Sequence, residues 1–143
     1  MINVDIAIIG SGITSKLAAL SLASRSRNVT ILSQSNTKIK NSNLVTFFSQ
    51  NSINFLKQVG VQDLINQSLP IKEISCSKLE QYQLEKKFQI HFKEKNINAE
   101  MGRIIVNDNL NKSLDDQINK NQNINILTDI SITHYEHQGV STK

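Results

Sequence analysis

The chain has no tryptophan, one proline (Pro70) and one cysteine (Cys76) in 143 residues. A single cysteine excludes an internal disulfide, which suits a reducing compartment. Cys76 lies in Ile74-Ser75-Cys76-Ser77, a stretch that reads as strand, so a structural thiol is expected rather than a reactive one. No apolar run reaches the ~18 residues that a membrane-spanning helix needs. The N-terminus has no basic segment before its apolar stretch and carries Asp5 inside it, which argues against a signal peptide. Acidic residues are locally missing too: none occurs between Asp5 and Asp63. Aromatic residues make up 5% of the chain and apolar residues 38%. That is enough Ile, Leu and Val for a thin aliphatic core and too much for a disordered chain.

The net charge is +4. Its lysines run from Lys16 to Lys143, and the densest group, Lys86, Lys87, Lys93 and Lys95, is interleaved with Glu85 and Glu94. This mixture reads as a solvated surface, so no nucleic-acid partner is expected. His91, His134 and His137 show no ligand spacing with other donors, and no metal site is expected. Asp115-Asp116 reads as a solvated helix face.

What is present begins at the N-terminus. Val4 to Ile9 is a short Ile- and Val-rich run ending at Gly10-Ser11-Gly12, which reads as a buried parallel strand. Ile13, Leu17, Leu20 and Ala23 then recur at helical spacing through an Ala- and Leu-rich segment. Val29 to Leu32 is a second strand, so the opening is a βαβ unit. Ser33 to Asn43 is polar loop. Ser49 to Gln67 reads as helical in two pieces, Ser52 to Val59 stopped by Gly60, and a second short helix beginning over Val61 to Ile65. Pro70 opens a strand expected over Ile71–Leu79, and Phe88, Ile90 and Phe92 alternate in another over Lys87–Phe92. These two are expected to pair as an antiparallel hairpin. Gly102 to Val106 is apolar, and Asn107 or Asp108 is the expected cap of a helix carrying Leu110, Leu114 and Ile118 at four-residue steps. Ile124 to Leu127 reads as a last parallel strand, with another starting at Ile130–Ile132.

One motif carries a mechanism. In Gly10-Ser11-Gly12-Ile13-Thr14-Ser15, the first glycine of a dinucleotide turn makes the bend and the second lets the backbone approach a pyrophosphate. The helix N-terminus starting at Ile13 then offers free N–H groups to the phosphates. The third glycine position holds Ser15. The acidic residue that normally ends the second strand and accepts the ribose hydroxyls is absent, which leaves Ser33 or Gln34 in its place. A neutral acceptor gives about 1 kcal/mol net per hydrogen bond against roughly 1.5–3 kcal/mol for a charged one.

Four segments in order carry a more specific resemblance. They are Asp5-Ile6-Ala7-Ile8-Ile9-Gly10-Ser11-Gly12, Ser52 to Val61 with Leu56 and Gly60, Pro70-Ile71-Lys72-Glu73-Ile74, and Met101-Gly102-Arg103-Ile104-Ile105-Val106-Asn107 followed by Leu110 and Leu114. In these the chain resembles the ubiquinone-biosynthesis hydroxylases of the UbiH/UbiF/VisC type, FAD-dependent monooxygenases related to para-hydroxybenzoate hydroxylase. The likeness covers nearly the whole chain but only about the first third of such an enzyme. The family's Asp-Gly and Gly-Asp motifs lie beyond it, and the family's Arg before the Ser-x-x-x-Leu helix aligns with Leu44.

The resemblance implies an α/β fold with a Rossmann-like FAD/NAD(P)-binding βαβ core of Val4–Ile9, Val29–Leu32 and Ile124–Leu127. It adds a layer of antiparallel, substrate-side strands at about 70–95, the whole truncated. Residues 1–143 would be the N-terminal part of one FAD-binding domain, with no second complete domain. It implies FAD held by Gly10, Ser11, Gly12, Ile13, Ser15, Ser33 and Gln34, NAD(P)H as reductant, and a polyprenylated phenol as substrate. It further implies other ubiquinone-biosynthesis proteins or a missing C-terminal half as partners, and a cytoplasmic location peripheral to the inner membrane. No catalytic residue is assigned. Against this activity stands a second expectation, a truncated remnant or split-gene half inactive on its own. An NAD-binding subdomain of another oxidoreductase is disfavoured by the Met101–Leu114 match.

Overall fold

The computed structural model describes residues 4–34, 44–80, 83–93 and 99–131, with positions 77–80 and 83–89 described by backbone alone. The elements are β1 (Ile6–Ile9), α1 (Ile13–Ala23), β2 (Val29–Leu32), β3 (Val45–Ser49), α2 (Gln50–Gln58), α3 (Gln62–Asn66), β4 (Leu69–Ile71), β5 (Glu73–Glu80), β6 (Gln83–Lys93), β7 (Gly102–Val106), α4 (Asn107–Asn119) and β8 (Ile124–Leu127). They fall into two compact units, one of Met1–Lys38 with Asn121–Lys143 and one of Ile39–Lys120.

The first unit is a parallel sheet in the order β1-β2-β8. The three strands expected to be parallel pair in register, with Ile8 beside Ile31 and Ile31 beside Ile126. Val29, Thr30 and Ile31 of β2 are all buried, the pattern of a central strand covered on both faces. Ala19, Leu20 and Ala23 bury the inner side of α1, where small alanines let helix and sheet approach closely. β1 begins at Ile6 rather than Val4, and it is parallel as expected but not buried throughout, since Ile9 is exposed. Asp5, the polar interruption in the apolar run, accepts the Asn28 backbone N–H at 2.9 Å and so ties the start of β2 to the start of β1.

In the second unit, β7 is the middle strand of an antiparallel sheet in the order β3-β7-β4. Phe47 faces Ile104 across one ladder, and Leu69 faces Ile104 across the other. One face of this sheet carries Val45, Phe47, Val106 and Leu69, all exposed. Ile105 points the other way and is buried, along with Ile53 and Leu56 of α2, Val61, Ile65 of α3, and Leu110, Leu114 and Ile118 of α4. Ser49 caps α2 by accepting the Ser52 N–H, and Gly60 ends it at φ +91°, a conformation other residues rarely adopt. β5 and β6 form a separate hairpin, with Ser75 opposite His91 and a register shift between Ser77 and Leu79.

Several expectations are corrected. The single strand expected over Ile71–Leu79 is two strands in different sheets: Ile71 pairs with Gly102, and Glu73 pairs with Lys93. Val45–Ser49 is a strand: Val45–Phe48 had no expected element, and Ser49, expected to open the helical stretch, ends the strand and caps α2. The cap of α4 is Val106, since the helix follows β7 without a loop. Asn107, one of the two expected caps, accepts instead from the Thr46 hydroxyl at 2.7 Å. Ile130 is outside any strand, and Ile132 lies outside the described residues. Cys76 is on β5 as expected but exposed, so it packs in no core. Pro70 sits in the edge strand β4, where its missing N–H breaks no internal ladder.

Leu114 is 0% exposed. Leu114→Ala is therefore expected to cost about 2–5 kcal/mol in denaturant unfolding, while Leu69→Ala, on the exposed face, should stay within about 0.5 kcal/mol of the parent. Equal effects at the two positions would show that α4 is not core.

Candidate nucleotide-binding site

The site is built at the carboxyl end of β1. Gly10 adopts φ +105°, which a side chain would strain, and its N–H donates to the Leu32 carbonyl at 2.8 Å. The bend therefore starts from a point fixed to the end of β2. Gly12 is extended (φ −72°, ψ 173°) and serves as the N-cap of α1. Its carbonyl accepts the first helical bond, from Lys16 N–H at 3.0 Å. The N–H groups of Ile13, Thr14 and Ser15 precede that bond, so the helix itself offers them no acceptor. Among the described residues no side chain caps this end, and no acidic residue occupies the first turn. Among the described residues, a Cβ on Gly12 would meet nothing within 4 Å. The turn thus leaves backbone N–H groups without helical acceptors at the positive end of an eleven-residue helix, the arrangement an anion requires.

Ser15, at the third glycine position, does not obstruct the turn. Its Oγ lies 3.5 Å from where a Cβ on Gly10 would stand, an ordinary van der Waals distance.

Ser33 is buried at the end of β2, where the ribose-binding acid was expected and is missing. Its N–H donates to Leu127 O at 2.9 Å and its carbonyl accepts Ile130 N–H at 3.1 Å. The Ser33 and Ser11 hydroxyls are 3.0 Å apart, so the strand end is joined to the glycine turn through side chains. Ser11 and Ser33 are thus brought together, and Gln34 is exposed in the bend that follows. The bonds from Leu127 and Ile130 frame Thr128 and Asp129, and Asp129 is exposed with φ +59°. Sequence reading passed over Asp129. Its signal was an acidic residue two positions past an apolar strand, at the edge where α/β sheets bind ligands.

Other polar groups form structural contacts. Leu44, aligned with the family's Arg, is exposed and brings no charge. Arg103 grips both Glu100 carboxylate oxygens at 2.9 Å, and its Nη1 donates to the Ile65 and Ser68 carbonyls at the end of α3. His91 Nδ1 meets Ser75 Oγ at 2.9 Å and Glu73 Oε1 at 3.2 Å. Both contacts use one nitrogen, whereas a nucleophilic relay needs the two nitrogens to bridge serine and acid. Among the described residues no group of three or more His, Cys, Asp or Glu could hold a metal. His134 and His137 lie outside them. Nor, among the described residues, is any helix long and apolar enough to cross a membrane.

No protein-family profile matches the chain, and no curated protein does. Solved structures do match. PqsL from Pseudomonas aeruginosa, a probable FAD-dependent monooxygenase, superposes with a TM-score of 0.60 at 16% identity, over 88% of this chain and 33% of that one. The chain shares its fold. A variant of 2-methyl-3-hydroxypyridine-5-carboxylic acid oxygenase gives 0.60 at 14% identity, over 87% of this chain and 31% of that one. FqzB gives 0.69 at 17% identity, over 94% of this chain and 30% of that one. The chain therefore spans about a third of the length of the solved structures it matches.

Proposed function

We propose that the chain is the nucleotide-binding portion of an FAD-dependent monooxygenase that hydroxylates an aromatic ring with NAD(P)H as reductant. The carrying observation is the space over Gly12 at the N-terminus of α1, where among the described residues nothing lies within 4 Å of an added Cβ and no side chain caps the helix. It occurs at the carboxyl edge of a parallel βαβ unit in a chain that shares the fold of a probable FAD-dependent monooxygenase. On this reading the sheet β1-β2-β8 is a Rossmann-like core. Gly10, Ser11, Gly12, Ile13 and Ser15 hold the pyrophosphate, and Ser33 and Gln34 stand on the ribose side. FAD, when bound, supplies the redox chemistry with dioxygen. The chain's own part is to bind and orient the nucleotide end. Backbone N–H groups meet the phosphates, the helix dipole offsets their charge, and the buried Ser33 hydroxyl holds the turn against the strand end.

The narrower assignment, ring hydroxylation of a polyprenylated phenol in ubiquinone biosynthesis, is supported by the Ser52–Val61 and Met101–Leu114 motifs. It brings with it partners among the other proteins of that route or a polypeptide carrying the Asp-Gly and Gly-Asp motifs, and a cytoplasmic location at the face of the inner membrane.

Titration of the purified chain with FAD tests the reading. Stoichiometric quenching of flavin fluorescence, with the yellow band retained after desalting, is the expected result. A chain that takes up neither FAD nor ADP removes it.

A further inference from the structure

We infer that Asp129 supplies, from the end of β8, the carboxylate that recognises the ribose hydroxyls of the bound nucleotide. The inference rests on the nucleotide-binding function proposed above and assigns the residue that sets its selectivity.

A ribose diol is best read by a carboxylate, because a charged acceptor takes two O–H donors more strongly than a neutral hydroxyl. The end of β2 cannot provide one: it carries Ser33, whose Oγ lies 3.0 Å from Ser11 Oγ. The described residues of the first unit contain two acidic side chains, Asp5 and Asp129. Asp5 is at the amino end of the sheet, where it accepts the Asn28 N–H before β2 begins. That is the edge opposite the glycine turn. Asp129 is at the carboxyl end, the same edge as Gly10–Gly12, because β8 runs parallel to β2 with Leu127 beside Leu32.

The position is also held in place. Ser33 donates to Leu127 O and accepts from Ile130 N–H, so Thr128 and Asp129 make a short excursion around the end of β2. Within it Asp129 takes φ +59°, a conformation that aspartate tolerates better than most residues but that still carries strain. Asp129 is exposed, so its carboxylate is open to a ligand. A neighbouring strand thus restores to this edge the negative charge that β2 lacks.

A carboxylate in this role attracts a free ribose diol and repels a phosphorylated one. The chain should therefore prefer ADP to ADP bearing a 2′-phosphate. Titrations of the wild type, Asp129→Asn and Asp129→Gly with FAD, ADP and 2′-phospho-ADP, each paired with a thermal unfolding curve, test this. Asn accepts the left-handed conformation and removes only the charge. It should weaken FAD and ADP by roughly tenfold or more, strengthen 2′-phospho-ADP, and leave Tm unchanged. Gly relieves the backbone strain, so its Tm should hold or rise while FAD affinity falls as in the Asn variant. A purely structural role for Asp129 would leave the ADP to 2′-phospho-ADP ratio where it was. If the wild type binds FAD and both variants bind it equally, or if all three nucleotides weaken together, the inference is overturned and the nucleotide-binding function stands. A wild type that binds no nucleotide overturns both.

Discussion

Gly12→Val is expected to lower FAD affinity at least a hundredfold and to leave the unfolding temperature where it was. The two halves of that result have separate causes. At φ −72° and ψ 173° the backbone is in the extended region, which a β-branched residue adopts readily. Among the described residues an added Cβ meets nothing within 4 Å, so these give the fold no reason to resist the change. The same empty volume is where a pyrophosphate would approach the N–H groups of Ile13, Thr14 and Ser15. A side chain there holds the phosphates away from several hydrogen bonds, each worth about 0.5–3 kcal/mol, and two of these already account for a hundredfold, about 2.7 kcal/mol. FAD titration and thermal unfolding of one sample decide the matter. Undiminished FAD affinity would place the phosphates elsewhere. A fall in Tm would make Gly12 a structural glycine, as Gly10 at φ +105° is.

Gly102→Val should have the opposite profile and collapse the second unit. Gly102 lies in β7, opposite Ser49 on one side and Ile71 on the other. A Cβ at this position would collide with the Phe48 carbonyl oxygen and come within 2.8 Å of the Phe47 ring. The ring could swing away; the carbonyl belongs to the neighbouring strand and could not move without parting β3 from β7. Overpacking of this kind costs about 1–3 kcal/mol where side chains alone adjust, and more where the backbone must move. Against a total stability of about 5–15 kcal/mol the expected loss is more than 3 kcal/mol. Far-UV circular dichroism and denaturant titration would register it. A variant with the parent's midpoint would mean that β7 does not pack between β3 and β4.

The elements legible from sequence were those with a local apolar period or run. Leu110, Leu114 and Ile118 fall on one buried face of α4, and β1, β2 and β8 are short Ile- and Val-rich runs that pair in register, though Ile9 of β1 and Ile126 of β8 are exposed. The rest depends on partners distant in sequence. Val45 and Phe47 point to an exposed face of β3, so the alternation carries no burial signal, and a polar stretch precedes it. Nothing local separates β4 from β5. The separation comes from β7 taking Leu69–Ile71 and from Met101 N–H donating to Ile71 O. The cap of α4 failed because no loop intervenes, leaving Asn107 free to bond Thr46. At the candidate site, the glycine turn was legible because its residues are contiguous. The Ser11–Ser33 pair and Asp129 were not, because parallel pairing alone brings the ends of β1, β2 and β8 to one edge.

That pairing also orders the assembly of the chain in time. The first unit is discontinuous: β2 must wait for β8, with Leu32 paired to Leu127 across everything the second unit contains. The second unit is continuous, so its ladders close over shorter loops, which form with a smaller entropic penalty. During synthesis it can therefore complete its sheet while the N-terminal strands still lack their third partner. The edge that carries the glycine turn, though it precedes the second unit in the chain, is finished last. A nascent or truncated chain ending before Ile124 would carry the whole glycine turn on a two-stranded sheet with β2 left as an open edge.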